Sequence, residues 1–535
     1  MATAAPRRRR KHWGWGYEDE QPTYDEVRAA AAAMAPVLGF GDSEPERPVP
    51  LEEVALTEPR IEPPTELAEV CATDTYERAA HAYGKSYRDV VRAFRGRFDH
   101  PPDAVAHPRD EADLEAVLGW CQSANAAVIP FGGGTSVVGG VEARVGDRYD
   151  GAVAIDLKAM DRVLEVDPVS RAARIQAGAT GPRLEEQLAV HGLTLRHFPQ
   201  SFQFSTLGGW IATRAGGHFA TLYTHIDDLV ESVRAVTPAG AWESRRLPGS
   251  GAGPSPDRLL IGSEGTLGLI TEAWVRVQAK PTQRASTSVR FASFAAGAEA
   301  VRAISQSGLY PSNCRLIDPA EAMLTTGGDG EHALLVLGFE SADHELDAWM
   351  SRALELCGEH GGEWDAPGGG GRAGAAGAWR DAFLRAPYLR DTFVAMGVLS
   401  ETFETSITWE RFPEFHASAI GAAREAVREV CGRGSVSCRF THCYPDGPAP
   451  YFTILAPTVR GEELERWAAV KAAASDAVIA AGGTITHHHA VGRDHRPWYD
   501  RQRPDPFAAA LRGAKAAVDP HGLLNPGVLI DPSAS

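Results

Sequence analysis

The sequence predicts an α+β fold, with an N-terminal extension, a glycine-rich region of helices and strands, and a larger region of mixed secondary structure. Helix, strand and glycine-loop patterns follow one another directly between residues 110 and 136. Two further glycine-rich blocks follow at 204–217 and 262–277, and beyond Lys280 strand and helix patterns mix without an internal repeat. The 535 residues suffice for about three domains, each with its own core.

The first element of the glycine-rich region is a helix at RDEADLEAVLGWCQS. Its apolar residues, from Leu114 to Cys121, recur at helical spacing, and Asp110 is placed to cap the N-terminus. The next residues, AAVIP, are typical of a short buried strand, which leads straight into FGGGTSVVGG. GAVAIDL and AARIQAG predict further strands, and GPRLEEQLAVHG predicts an amphipathic helix.

The glycine loop at residues 132–136 presents a row of backbone N–H groups that no side chain covers, followed by the hydroxyls of Thr135 and Ser136. Such a row of donors suits a pyrophosphate. Neither the glycine spacing of the dinucleotide fingerprint nor the Gly-Lys-Ser/Thr of a P-loop is present. Taken alone, the loop fits an ordinary tight turn equally well, whereas the two further glycine-and-hydroxyl blocks favour an anionic cofactor.

The composition bounds the class of protein. Hydrophobic content of 44% and charged content of 23% are those of an ordinary soluble globular protein. The formal net charge of −17 argues against nucleic acid as the main partner, because a phosphate backbone needs a basic footprint. Seven scattered cysteines favour a reducing compartment over a disulfide framework. No apolar stretch approaches 18 residues, so we expect no transmembrane helix and a cytoplasmic location.

Four arginines at residues 7–10 depart from this acidic balance. Such a run is most often a solvated, disordered terminus. A short basic arm could also touch an anionic membrane surface. Peripheral membrane contact therefore stays open as an addition to the cytoplasmic location.

Three consecutive histidines, His487–His489, allow three interpretations. In a strand, adjacent side chains point to opposite faces, so only His487 and His489 would share one side. We expect no metal, because no Cys-x-x-Cys pair or His-Glu-x-x-His helix lies nearby to complete a coordination shell. Histidines hydrogen-bonded within a core are the second interpretation, and a catalytic cluster is the third.

Several motifs together resemble a known family of flavoproteins. FGGGTSVVGG, FSTLGGWIATRAGG, IDDLV and GSEGTLGLITEA are similar in order and spacing to the FAD domain of the vanillyl-alcohol oxidase type. Further along, CRLID, YLRD, SETFETSITWER, SCRFTHCYPDG and HHHAVGRDHRPW resemble alkyldihydroxyacetonephosphate synthase, as does WGWGYED near the N-terminus. The resemblance covers nearly the whole chain.

The resemblance implies a two-subdomain FAD-binding domain joined to a mixed α/β cap domain. The expected limits are 1–100 for an N-terminal extension and helical region, 101–280 for the FAD-binding domain, 281–500 for the cap or substrate domain, and 501–535 for a C-terminal segment that returns to the FAD domain. It also implies that FAD is bound without a covalent link. The glycine loop contains neither the His nor the Cys that carries covalent flavin in relatives.

The resemblance also assigns functions to individual residues. The catalytic tyrosine is expected at Tyr451, and the essential histidines at His487, His488 and His489. Arg315 and Arg390 are expected at the substrate site, with a surface ion pair as the alternative. The residues expected to bind FAD are Pro130, Phe131, Gly132, Gly133, Gly134, Thr135, Ser136, Gln200, Ser201, Phe202, Gln203, Phe204, Ser205, Thr206, Thr213, Arg214, Ala215, Gly216, Glu264, Gly265, Thr266, Leu267, Gly268, Leu269 and Ile270.

The implied reaction exchanges the acyl chain of an acyl-dihydroxyacetone phosphate for a fatty alcohol, without net redox change. In it, Tyr451 would remove a proton beside the ketone, the histidines would handle that proton, and the arginines would hold the phosphate. The alternative is a flavin-dependent 2-hydroxyacid dehydrogenase or oxidase, which the tail Leu-Asn-Pro-Gly at 524–527 resembles. A flavin-binding protein without turnover is the weakest of the three. The expected substrate is a small molecule or lipid with a phosphate or carboxylate, and the oligomeric state is open, a homodimer included.

Overall fold

The computed structural model describes residues 8–223, 225–326, 328–365 and 386–532. Within these ranges the chain forms sheets of four, five and six strands and one two-stranded ribbon, with helices packed against them. The predicted α+β class is confirmed. The glycine-rich stretch at 367–377, predicted to be a surface loop, lies outside the described residues.

Helices and strands are numbered in chain order. The strands are β1 (Cys71–Ala72), β2 (Ala104–Ala106), β3 (Ala126–Phe131), β4 (Gly151–Asp156), β5 (Val163–Asp167), β6 (Ala172–Gln176), β7 (Leu193–Thr194), β8 (Val230–Thr237), β9 (Gly240–Glu243), β10 (Leu269–Arg276), β11 (Gln278–Ala279), β12 (Gln283–Phe291), β13 (Asn313–Ile317), β14 (Ala333–Ser341), β15 (Val398–Glu404), β16 (Ser435–Cys443) and β17 (Pro448–Pro457). The helices are α1 (Tyr24–Leu38), α2 (Thr75–Ala80), α3 (Tyr87–Phe94), α4 (Glu111–Ser123), α5 (Gly181–Ala189), α6 (Leu207–Thr213), α7 (Ala220–Tyr223), α8 (Ile226–Leu229), α9 (Asp257–Leu260), α10 (Phe294–Gln306), α11 (Pro319–Thr326), α12 (Asp347–Glu359), α13 (386–395), α14 (Phe412–Cys431), α15 (Glu463–Ala480), α16 (Arg496–Gln502) and α17 (Asp505–Val518). Among the described residues, no helix combines the length and apolarity needed to cross a bilayer.

The first sheet carries the glycine loop at the end of strand β3. Its order is β1–β2–β4–β3, with parallel pairing of β4 to both β2 and β3. Both β3 and β4 are almost wholly buried, which explains their continuous apolar sequences. Helix α4 begins as predicted, because the Asp110 carboxylate accepts a hydrogen bond from the backbone N–H of Asp113. Its predicted apolar face, Leu114 to Cys121, is buried.

The second sheet has the order β5–β6–β10–β8–β9, and every neighbouring pair is antiparallel. The sequence AARIQAG forms β6, and GPRLEEQLAVHG begins helix α5, as predicted. Helix α6, which follows the second glycine block, starts where the Thr206 hydroxyl accepts from Gly209 N–H. Trp210 and Ile211 of α6 enter the core of this sheet. The second block is thereby fixed against the glycine loop of the first sheet.

The six-stranded sheet, here called the cap sheet, has the order β12–β14–β13–β16–β17–β15. Helices α10, α12, α14 and α15 cover one face and bury the largest apolar core of the described residues. Alternation decides which side chains belong to which face. Cys438, Phe440 and Phe452 are in that core, whereas Arg439 and Tyr451 point to the opposite face. The opposite face forms one wall of the candidate site.

Both ends of the described chain pack on the body. Leu524 pairs with Val128 and enters the core of the first sheet. At the other end, the Arg10 guanidinium donates to the carbonyl of Gly133, 3.1 Å away, and Trp15 is buried. The expectation of a disordered arginine run is therefore wrong for Arg10, because the glycine loop offers a carbonyl that a long cationic side chain can reach. The domain limits given above stay a prediction.

Candidate active site

A cavity of about 630 Å³ is lined jointly by the first two sheets, the cap sheet and helix α1. Most residues expected to bind FAD border it. Those that line the cavity are Pro130, Phe131, Gly132, Gly133, Gly134, Thr135, Ser136, Gln200, Ser201, Ser205, Thr206, Thr213, Ala215, Gly216, Glu264, Gly265, Gly268, Leu269 and Ile270. Three glycine-rich blocks that are far apart in sequence thus meet at one place. Their individual roles stay predictions.

Some of the expected FAD-binding residues do not line the cavity and have structural contacts instead. The Phe204 ring lies 4.2 Å from the Arg10 guanidinium and supports the glycine loop from behind. Arg214 pairs with the carboxylate of Asp227 at 2.7 Å. Leu267 belongs to the core of the second sheet. The residues in this group are Phe202, Gln203, Phe204, Arg214, Thr266 and Leu267.

The glycine loop packs so closely that larger residues do not fit. A Cβ atom at Gly133 would lie 2.2 Å from the carbonyl oxygen of Phe204, and Gly134 has φ of +62°. The loop therefore leaves backbone groups, rather than side chains, at the cavity wall, which is the arrangement that suits an anionic cofactor. The loop from Pro130 to Ser136 contains neither His nor Cys.

Glu264 connects the third glycine block to the loop that carries His487–His489, here called the histidine loop. Its carboxylate accepts from the backbone N–H groups of Val491 at 2.9 Å and Gly492 at 2.8 Å. Asn525 of the C-terminal tail donates to the Glu264 carbonyl at 2.8 Å. Burial raises the pKa of the Glu264 carboxyl to about 7.

The three histidines lie in a loop rather than a strand, so the expected alternation of their side chains is wrong. The Glu404 carboxylate holds this loop in place through hydrogen bonds. It accepts from the backbone N–H groups of His487 at 2.6 Å and His489 at 3.0 Å, and from the Thr486 hydroxyl. Burial alone would raise the pKa of Glu404, but the adjacent His488 and His489 hold that pKa well below its usual value. A buried anion thus brings all three imidazoles together.

The imidazoles form a cluster with His442 of β16, which the sequence analysis did not single out. His487 and His488 face each other with their Nδ1 atoms 3.0 Å apart, and the Tyr444 hydroxyl is 2.9 Å from His487 Nε2. Burial lowers the pKa of His487 to about 3 and that of His442 well below its usual value. Neutral imidazoles can accept a proton. One ring nitrogen each of His442, His487 and His488 lies within 4.8 Å of the others, so the cluster could also hold a metal ion. The expectation of no metal stays a prediction.

Tyr451, His488 and His489 line the cavity together, while His487 does not. The centre of the Tyr451 ring is 5.5 Å from that of His489 and 6.1 Å from that of His488. Tyr451 is only 5% exposed. The expected catalytic tyrosine and two of the expected histidines therefore share one buried wall.

Both expected substrate arginines reach the cavity. Arg315 is 2% exposed, which excludes the surface ion pair for this residue. Burial, followed by repulsion from Arg439, lowers the pKa of Arg315 to about 9. The Arg390 guanidinium donates to the carbonyl of Lys85 at 2.8 Å. The site thus presents two cations to a bound anion.

Sequence reasoning missed several residues around this wall: Trp15, Glu321, Glu404, Arg439 and His442. Four of them come from or follow strands of the cap sheet, whose inward face repeats every second residue. Glu404, Arg439 and His442 lie inside motifs that already resembled the family. Alternation within those motifs was a signal that could have found Glu404 and Arg439, whereas His442 follows a shift in the strand pairing after Phe440.

Comparison with known proteins gives matches along most of the chain. Residues 102–244 match the model of an FAD binding domain, and residues 280–529 match that of the FAD linked oxidases, C-terminal domain. Alkyldihydroxyacetonephosphate synthase of Trypanosoma brucei brucei is 30% identical over 486 residues, which cover 85% of this chain and 78% of that protein. Glycolate oxidase subunit GlcD of Bacillus subtilis (strain 168) is 25% identical and covers 81% of this chain and 89% of its own length.

Solved structures give the same picture of the fold. An alkyldihydroxyacetonephosphate synthase structure superposes with a TM-score of 0.78 at 25% identity, over 97% of this chain and 98% of that one. p-Cresol methylhydroxylase with substrate bound superposes with a TM-score of 0.68 at 15% identity, over 87% and 94% of the two chains. The second likeness concerns the fold alone.

Proposed function

This chain belongs to the alkyldihydroxyacetonephosphate synthase family, and on that premise we propose that it exchanges the acyl chain of an acyl-dihydroxyacetone phosphate for a fatty alcohol. The product is an ether, and the overall exchange neither oxidises nor reduces the substrates. The observation that carries the proposal is the shared cavity. Tyr451, two of the three histidines and both arginines border the same space as the glycine loop.

FAD is the cofactor of this chain, in agreement with both family models. The cavity suits it, because Gly132–Gly134 leave backbone at the cavity wall: a Cβ at Gly132 or Gly133 would collide with the second glycine block, and one at Gly134 with Phe131. The residues proposed to hold FAD are the cavity-lining members of the three blocks. When bound, the flavin supplies the redox-active ring at which the dihydroxyacetone carbon is activated.

Tyr451 is the proposed base that removes the proton beside the substrate ketone. The centre of its ring lies 6.1 Å from that of His488 and 5.5 Å from that of His489, and these imidazoles are proposed to relay the proton. Glu404 stabilises any positive charge that develops on these imidazoles, since its carboxylate lies 3.4 Å from His488 Nδ1 and 3.6 Å from His489 Nδ1. The cluster therefore handles protons on this proposal.

Arg315 and Arg390 are the proposed ligands of the substrate phosphate. Keeping a buried guanidinium charged is costly, and a bound dianion offsets that cost. The lowered pKa of Arg315 supports this assignment, because its cause is burial together with a second guanidinium. Two forked donors match phosphate oxygens better than point charges do.

The aliphatic chains are proposed to leave the reaction centre along helix α1. Met34, Val37 and Leu38 of α1 line the cavity together with Leu455 of the cap sheet and Phe393. Val37 is 65% exposed, so this side of the cavity approaches solvent. Apolar side chains both inside the cavity and at its exposed side suit an alkyl chain that enters from solvent.

The second candidate is a flavin-dependent 2-hydroxyacid dehydrogenase or oxidase. The likeness to the Bacillus subtilis glycolate oxidase subunit favours it, as does the Leu-Asn-Pro-Gly tail, whose Asn525 donates to Glu264. Its lower identity, and the placement of Tyr451 beside the histidines, make it the weaker candidate.

Incubation of the purified protein with acyl-dihydroxyacetone phosphate and labelled hexadecanol tests the proposal. We expect label in an ether lipid and release of one fatty acid for each ether formed. Tyr499→Phe, a matched change outside the cavity, should leave both products unchanged. Release of fatty acid without any labelled ether would reduce the activity to hydrolysis and refute the synthase assignment.

Location and assembly are also proposed rather than established. We propose a cytoplasmic protein that touches membranes peripherally, because Met323, Leu324 and Leu389 line the cavity and are more than one-third exposed. A homodimer is the proposed assembly. Flotation with anionic vesicles and sedimentation equilibrium would test these two statements separately.

A further inference from the structure

One row of the cap sheet places Tyr451 between two charged residues. Tyr451 on β17 pairs with Glu404 on β15 and with Arg439 on β16. Side chains paired in this way share a face, with Cβ atoms roughly 4.5–5.5 Å apart. Glu404 turns to the backbone of the histidine loop. Arg439 lies against the tyrosine itself.

The Arg439 guanidinium covers the face of the Tyr451 ring, with its central carbon 3.9 Å from the ring centroid. Arg439 is 7% exposed and lines the cavity beside Tyr451. It also donates to the Thr453 hydroxyl at 3.4 Å. A cation over an aromatic face is attracted to it, more strongly when both are shielded from water. This contact fixes the plane of the ring and places positive charge next to the phenol.

Glu321 of α11 holds Arg439 in that position. The two side chains form a buried ion pair, and the second carboxylate oxygen of Glu321 accepts from the Ser437 hydroxyl at 3.0 Å. Asp318 in turn accepts from the backbone N–H of Glu321 at 2.8 Å, which fixes the start of α11. Burial disfavours a charged Arg439, but Glu321 and its neighbours raise the pKa of Arg439 above its usual value. The guanidinium thus stays charged without water.

We propose that Arg439, fixed by Glu321, is a positioning residue that holds the Tyr451 ring in place and presents positive charge to its face. The proposal rests on the function of Tyr451 as the base of the proposed exchange. A guanidinium 3.9 Å from the ring stabilises negative charge that spreads into it. Arg439 need not touch the reacting atoms, because it acts through the tyrosine.

The first test compares Arg439→Met, Arg439→Lys and Glu321→Gln in the parent and in a Tyr451→Phe background. In the parent, Arg439→Met should lower kcat about tenfold to a hundredfold with little change in KM, as expected for part of a general-base contribution. Arg439→Lys should recover only part of that loss, because an ammonium does not lie flat on a ring. In the Tyr451→Phe background, Arg439→Met should change kcat less than about twofold, since residues that act as a unit are not additive.

Arg428→Met removes an exposed cap-domain charge and serves as the control; it should leave kcat unchanged. An equal loss from Arg439→Met in both backgrounds would overturn the proposal, because a merely structural residue would behave in that way. If Arg439→Met loses FAD or unfolds, Glu321→Gln replaces it, with the same expected dependence on Tyr451.

The second test does not depend on turnover. The near-ultraviolet circular dichroism difference between each protein and its Tyr451→Phe counterpart reports how firmly this one ring is held in the resting protein. Loss of Arg439 should reduce that difference, because the guanidinium no longer covers the ring, whereas Arg428→Met should leave it unchanged. An unchanged difference would contradict the positioning role even in an enzyme that proves to be a synthase. A reduced difference in a protein without synthase activity would retain the positioning role and reject the proposed reaction.

Discussion

The two walls of the cavity are built on different principles. The wall from the first two sheets consists of backbone and small residues, which loops from three blocks of contiguous sequence bring together. The wall from the cap sheet consists of side chains that strand register places, among them Ser and Thr hydroxyls and the paired Tyr451 and Arg439. The first wall is suited to hold a cofactor that many relatives share. On the proposed function, the second carries the groups that act on the substrate.

Tyr451→Phe should give the largest loss of reaction rate, because it removes the proposed base from the wall that the cap sheet forms. Loss of a general base lowers rates about 10²–10⁴-fold, whereas the change removes little volume. FAD content and the flavin spectrum should survive, since no glycine block is altered. His488→Ala should give a comparable loss, and the double variant should be little worse than either single one.

Single-turnover rates under saturating substrate measure this effect, with Tyr499→Phe as the control. Normal rates in Tyr451→Phe would remove the tyrosine from the chemistry.

Arg315→Lys and Arg390→Lys test whether these two arginines of the cap-side wall bind the substrate phosphate. Loss of a charge-assisted, two-pronged contact costs about 1.5–3 kcal/mol, so affinity for the phosphate-bearing substrate should fall roughly tenfold to a hundredfold. The flavin spectrum should stay the same. Titration calorimetry measures the change, with the exposed, ion-paired Arg460→Lys as the control. Undiminished affinity in both variants would assign these arginines to structure alone.

Glu264 joins the two walls, and its protonation should make stability depend on pH. The folded pKa of about 7 lies above the ordinary value of 4.5, so the folded protein binds this proton more tightly. The stabilisation is present below pH 4.5 and is lost as pH rises through 7. Glu264→Gln should therefore reduce the fall in unfolding free energy between pH 5 and pH 8 by about 1–3 kcal/mol.

Denaturant unfolding at several pH values measures this difference, and the exposed Glu429→Gln provides the control. An identical fall in the parent and Glu264→Gln would show that this carboxyl does not set the pH dependence.

The smallest expected effect concerns the wall formed by the first two sheets: FAD should leave it chemically intact when the protein is denatured. Because the glycine loop offers neither His nor Cys for a covalent bond, acid precipitation should leave a colourless pellet and a yellow supernatant. A pellet that keeps its colour would show a covalent link elsewhere on the chain.

The same contrast explains what the sequence could predict. Helix α4, its Asp110 cap, the strand into the glycine loop and the meeting of three glycine blocks depend on local patterns, and the structure agrees with each. The cap wall depends on pairing between distant strands. Nothing near His487–His489 in the sequence predicts that Glu404 gathers their backbone and that His442 joins them. Likewise, the half-buried Arg10 donates to the carbonyl of Gly133, which lies 123 residues away in sequence.

Anaerobic turnover followed by flavin absorbance tests the central claim most directly. With acyl-dihydroxyacetone phosphate and fatty alcohol, we expect many ethers formed for each flavin, with the flavin oxidised again after every cycle and no electron acceptor required. The same absorbance should stay unchanged with 2-hydroxy acids. Lasting flavin reduction by a 2-hydroxy acid, reversed only by oxygen or a dye and undiminished in Tyr451→Phe, would contradict the synthase proposal and establish the oxidoreductase alternative.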